Sequence, residues 1–141
     1  MLRPDYEGGG LVNLMASLMT GLGGRPSDLY PPLAGLPPQE VKAAANVVLL
    51  LLDGLGHDYL IQNGAGGALC RHLQGPITSV FPPTTAAAVT TVLTAVGPQQ
   101  HAVTGWFVHL RELGTVSALL PFRPRWGAGA VSMKTDWIRG P

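Results

Sequence analysis

Residues 47–52, VVLLLL, limit what this chain can become more than any other stretch. Six consecutive apolar residues, opened by two valines and ended by Asp53-Gly54, suit a strand buried on both faces. Strands of that kind belong to parallel sheets with helices on either side. The run is too short to cross a bilayer, even counting the alanines before Asn46.

The remaining pattern agrees with alternation of helix and strand. In residues 11–22, LVNLMASLMTGL, Leu11, Leu14, Met15, Leu18, Met19 and Leu22 recur at helical spacing. Asn13, Ser17 and Thr20 fall on the opposite face, and Gly23-Gly24 is the stop. Residues 25–39 hold five prolines and read as an extended connection over the surface. A short helix is expected near His57 and Asp58, another over GALCRHL, and ITSVF reads as a second strand. Residues 86–96 predict a helix with Val89, Val92, Leu93 and Val96 on one stripe, closed by Gly97-Pro98. GWFVHLRELGTVSALLPF is either a hairpin turning at Gly114 or, as we prefer, a short helix followed by a strand. The order implies an α/β layered fold with a mostly parallel sheet. No internal repeat or low-complexity tract is present.

Composition excludes several function classes. The net charge of +1, from 9 basic and 8 acidic residues, carries no nucleic-acid footprint. Arg111, Arg123, Arg125, Lys134 and Arg139 give the last stretch a basic lean, thin enough to be a solvated face. The N-terminus, MLRPDYEGGG, has no apolar core of a secretory signal, and the single cysteine, Cys70, suits a reducing compartment, so a cytoplasmic, membrane-free protein is expected. Charged residues make up only 12% against a usual share of about a quarter, so much of the surface should be buried against something else. Self-association through an exposed sheet edge is one expected outcome.

Two polar signals fall where open parallel sheets bind ligands, beyond the carboxyl ends of strands. Asp53 ends the apolar run, and Gly54 permits a sharp turn after it. Asp-Gly is also a plain turn pair, and sequence alone leaves both readings open. Thr84 and Thr85 follow ITSVFPP and open an alanine-rich helix. Thr84 is the natural N-cap. Thr85 is then surplus to capping and sits at the positive end of the helix dipole, roughly half an elementary charge. That setting would hold a phosphate or stabilise a developing oxyanion. The alanines let the helix pack close to a sheet, leaving room above for a substrate.

VVLLLLDGLG followed by SVFPPTTAAAVTTVLTAVGPQQHAVTG resembles the N-terminal part of the type I phosphodiesterase/nucleotide pyrophosphatase family, within the alkaline phosphatase superfamily. A strand ending in Asp-Gly is weak alone. Joined to Phe81-Pro-x-x-Thr85 and Gly97-Pro98-x-x-His101 at this spacing, it is specific over residues 46–105. The resemblance implies an alkaline-phosphatase-like layered fold, with residues 1–141 the N-terminal portion of one catalytic domain. It implies Thr85 as nucleophile and metal ligand, Asp53 as metal ligand, and two divalent ions, usually zinc, that hold the phosphoryl oxygens during in-line displacement. A covalent threonine intermediate would form and be released by water. The substrate would be a phosphodiester, a nucleotide pyrophosphate or a phosphonate.

The chain departs from the family in two ways. Ala88 stands where many relatives carry a phosphate-binding asparagine, which leaves the Ala86 backbone N–H as the remaining donor. The family's further ligands, an Asp-x-x-x-His, an Asp-His pair and a later histidine, come from downstream sequence, so these 141 residues alone are expected to be inactive. Asp53-Gly-Leu-Gly-His57 spells Asp-x-x-x-His, but Asp53 is assigned elsewhere and His57 lies past the turn. His101 reads as a hydrogen-bonded structural residue, and His72 and His109 lack carboxylate partners. Among alternatives, a phosphoglycerate-mutase-like phosphotransferase would use serine, and a sulfatase would need Cys-x-Pro-x-Arg where Cys70-Arg71-His72-Leu73-Gln74 stands. A dinucleotide fold would need a third glycine after Gly54-Leu-Gly56. A non-catalytic fragment is the competing reading from outside enzymology.

Overall fold

In the computed structural model, which describes residues 2–126, the chain divides after Ser79 into two units. The first is built around helix α1 (Leu11–Gly21), which packs on α2 (Pro38–Ala43). No hydroxyl caps α1. Its N-cap is Gly10, whose N–H donates to Asn13 Oδ1 at 3.0 Å from within the first turn. Pro38 opens α2, where its fixed φ suits the first turn and its missing N–H costs no helix bond. The helices approach closely at Gly21, where a Cβ would come within 2.7 Å of the Pro38 carbonyl oxygen.

The buried side of α1 is not the one its aliphatic spacing predicts. Val12, Asn13, Ala16, Ser17 and Leu18 are buried, whereas Leu22 is 67% exposed. The turn of the face has a hydrogen-bonding cause. Asn13 Nδ2 donates to the carbonyls of Tyr6 and Pro31, both at 2.8 Å, and Ser17 Oγ accepts the Leu33 N–H at 2.8 Å. The proline-rich connection thereby lies along the polar side of α1 and covers it. Tyr30 of that connection is buried beside the Tyr6 ring at 5.9 Å.

Residues 47–52 do not form the expected strand. They take no part in a ladder, and Val48 and Leu50 are 87% and 73% exposed. A strand exists only when a neighbour receives its N–H and C=O groups, and the described residues of this unit supply none beside it. ITSVF likewise yields a single parallel bridge, Gly10 to Thr78, held by Leu11 N–H to Thr78 O and Thr78 N–H to Gly9 O, each 2.9 Å. The expected short helices do form, as α3 (His57–Asn63) and α4 (Ala68–Arg71).

The second unit contains α5 (Thr85–Thr94), α6 (Pro98–His101) and a three-stranded sheet, β1 (Phe107–Leu110), β2 (Thr115–Ala118) and β3 (Arg123–Pro124). The sheet is antiparallel throughout, with Phe107 opposite Ala118 and Ala118 opposite Arg123. The fold class among the described residues is therefore mixed α and β, with an antiparallel sheet where a mostly parallel one is expected. Residues 105–122 form the hairpin and not the preferred short helix followed by a strand. A 3-10 turn (Arg111–Leu113) closes onto Gly114 at φ 60, a left-handed position that glycine takes without strain. Arg125 stacks between the Phe107 and Trp126 rings, 4.5 and 4.7 Å from their centres. Lys134 and Arg139, part of the basic lean, lie outside the described residues.

Helix α5 ends earlier than Gly97-Pro98 suggests. Ala95 adopts φ 56 and returns its N–H to Thr91 O at 2.8 Å, and Gly97 and Pro98 instead open α6. Its covered line is Ala86, Ala87 and Thr91, continued by Ala95, while Leu93 is 76% exposed. Small residues, not the valine and leucine stripe, make the close contact.

Candidate functional site

The two threonines divide at the start of α5. Thr84 has extended backbone, and its Oγ1 accepts the Ala87 N–H at 3.2 Å, satisfying one of the amides that a helix leaves without an internal partner. The same hydroxyl lies 3.4 Å from the Thr104 carbonyl oxygen, at the limit of a hydrogen bond. Thr85 occupies the first helical position and is exposed. A nucleophile there meets the dipole's positive end, which favours an approaching anion. Ala86 is fully buried, so its N–H is covered.

Asp53 belongs to the first unit and Thr85 to the second. Asp53 is exposed at a turn where Gly54 takes φ 77, as the Asp-Gly pair predicts. Thr85 and Ala86 are thus the part of the predicted site gathered on one element. Among the described residues no group of three or more histidine, cysteine, aspartate or glutamate side chains stands close enough to hold a metal ion. His57 pairs with its neighbour Asp58, Nδ1 to Oδ1 at 3.2 Å, a surface contact of little energetic weight.

His101 is the hydrogen-bonded residue that its place in the turn suggests, and its partners can be named. The Val103 N–H donates to Nδ1 at 3.0 Å, and Nε2 lies 3.1 Å from Thr91 Oγ1. Nδ1 accepts only when it carries no proton, so the neutral ring is protonated on Nε2 and donates to Thr91. Burial holds the imidazole below its ordinary value of 6.5, against opposing contacts with the Ala87 and His101 backbone. The link to Thr91 was not read from sequence. Its available signal was a threonine on the small-residue line of α5, followed by a histidine just beyond the next short helix.

An open pocket of ≈ 240 Å³ lies in the first unit between Gly8, Leu33, Gly35, Gln74 and Ile77. None of its lining residues is titratable, so it offers shape without acid–base chemistry. No helix among the described residues is long and apolar enough to cross a membrane. No protein-family model, no curated protein and no solved structure gives a significant match to the chain.

Proposed function

We propose that this chain contributes the nucleophile-bearing, N-terminal portion of a phosphodiester or nucleotide pyrophosphate hydrolase with an alkaline-phosphatase-like layered fold. The observation that carries the reading is the division of labour at α5: Thr84 takes the capping hydrogen bond, and Thr85 stands exposed at the first helical position. Thr85 Oγ1 attacks phosphorus, forming its O–P bond as the bond from phosphorus to the ester's leaving oxygen breaks. The threonine proton passes to water, the leaving oxygen departs as the alcohol or nucleotide product, and the helix dipole stabilises negative charge on the phosphoryl group. Water then releases the covalent threonine adduct. The reading rests on Thr85 and not on the covered Ala86 amide. Residues 47–52 would act as a strand once neighbouring strands receive their backbone groups, which would set Asp53 at its carboxyl end. The lone Cys70 favours a reducing, cytoplasmic setting.

The metal requirement comes from the resemblance. A zinc ion takes about three protein ligands at a catalytic site. The described residues offer Asp53 and the Thr85 hydroxyl, one carboxylate and one alcohol, which do not by themselves make such a site.

The test uses the full-length protein, including any sequence downstream of residue 141, with excess zinc and an activated p-nitrophenyl phosphodiester. The expected result is metal-dependent release of p-nitrophenol and a covalent adduct on the peptide containing Thr85, both lost in Thr85→Ala. Asp53→Asn should lower bound metal and turnover together while circular dichroism is unchanged. Turnover that survives Thr85→Ala, or absence of turnover altogether, overturns the reading.

A further inference from the structure

The segment after α6 is tied to α5 at two heights, and both ties end on threonine hydroxyls. One joins Thr84, the N-cap, to the Thr104 carbonyl. The other runs from the Val103 N–H through the His101 ring to Thr91. Thr84 and Thr91 are seven residues apart, close to two turns, so they lie on the same side of the helix. Thr91 is fully buried, which raises the cost of losing its hydroxyl's partner above that of a surface bond. The imidazole is directional, because Val103 fixes Nδ1 as acceptor and thereby fixes Nε2–H as donor. A methyl-lined contact could fill the same volume without fixing the height or rotation of α5.

We propose that His101 is a positioning residue: through Thr91 it sets the register of α5 against residues 101–104 and thereby holds the first turn that bears Thr85. As a statement about α5 this stands on geometry alone; as a statement about turnover it rests on the nucleophile reading of Thr85. His101 touches neither substrate nor reacting atoms in this role. It acts on the first turn by holding the helix two turns further along.

The experiment measures amide hydrogen exchange in the full chain for wild type, Thr91→Val and Thr91→Ser. Thr91→Val keeps the shape and removes the hydroxyl; Thr91→Ser keeps the hydroxyl. Thr91→Val should speed exchange of the Ala87 and Ala88 amides about five- to tenfold, the loss of one buried hydrogen bond. Thr91→Ser should restore them, and the Leu14 amide of α1 should be unchanged in both. Wild-type rates at Ala87 and Ala88 in Thr91→Val overturn the proposal. If Thr91→Val fails to fold, the wild-type protein is followed as pH is lowered, reading the imidazole nitrogens by NMR alongside the same amides. Loss of protection together with loss of the Nε2–H tautomer supports the proposal, and protection that persists through the titration overturns it. In the phosphodiester assay, Thr91→Val should lower kcat with KM unchanged, and Thr91→Ser should recover it. Absence of turnover in wild type defeats the Thr85 reading and leaves the exchange result standing.

Discussion

The Thr84 hydroxyl oxygen accepts the Ala87 N–H at 3.2 Å, and this one bond gives two adjacent, chemically identical side chains different tasks. Thr84 is committed to closing α5. Thr85, one residue on, is exposed at the helix's first position, where the dipole is most positive.

Thr84→Ala should therefore destabilise the second unit by about 0.5–2 kcal/mol, the ordinary cost of losing an N-cap. It should leave the capacity to form a covalent adduct. Thr85→Ala should do the reverse, with near-normal stability and no adduct. Urea unfolding paired with mass spectrometry of the adduct separates the two. Adduct formation lost in Thr84→Ala with folding intact, and retained in Thr85→Ala, would place the nucleophile one residue earlier.

How much of this was legible in the sequence depended on whether the deciding partner was near in the chain. The existence of α1 and α5 was, because spacing and caps are local: the helices run 11–21 and 85–94 against expectations of 11–22 and 86–96. Their faces were not. Asn13 and Ser17 look like a solvent side until the Tyr6 and Pro31 carbonyls and the Leu33 N–H arrive beside them. Residues 47–52 show the same limit more severely, since apolar content can call for a strand but cannot supply its ladder. At the site, Thr84's capping and His101's structural character were readable. The identity of Thr91 as the histidine's partner was not, because it depends on the α5–α6 turn geometry set by Ala95 in the left-handed region.

Asn13 should be the most costly polar side chain of the first unit to truncate. It makes three bonds, accepting from Gly10 N–H and donating to two carbonyls, and it is fully buried. Asn13→Ala leaves those groups unpaired and should cost about 2–4 kcal/mol. Ser17→Ala should cost only about 1 kcal/mol, because the Leu33 N–H retains the Asn13 carbonyl at 3.0 Å as a second acceptor. Chemical denaturation of the two variants checks the order. A larger loss in Ser17→Ala would mean that the connection over α1 is held by something other than these bonds.

The exposed run at 47–52 should make the chain associate with itself. It is exposed, uncharged and free of glycine and proline, the composition that pairs edge to edge when left open. Leu50→Lys places a charge on a side chain that is 73% exposed, so it should suppress association with little effect on folding. Sedimentation velocity over a concentration series reads this directly. A wild-type chain that stays monomeric at high micromolar concentration, or a variant that associates equally, would remove 47–52 as the sticky element.

The His101 link should also give the second unit a pH dependence of defined sign. Burial lowers the folded-state pKa below 6.5, so the folded state binds fewer protons at this ring than the unfolded chain does. The contribution is then fully present above the unfolded value. It is lost as pH falls from about 6.5 towards the lowered folded-state value, below which this ring costs nothing further. Protonation would also put a second N–H against the Val103 N–H that Nδ1 now accepts. Neither α5 nor residues 102–106 carry another titratable side chain, so nothing facing the ring from them confounds the slope. Denaturant midpoints from about pH 8 to about pH 5 should fall more steeply on the acid side in wild type than in His101→Gln. A flat difference curve, or a wild-type protein that gains stability on acidification, would show that the ring is not held neutral by the fold.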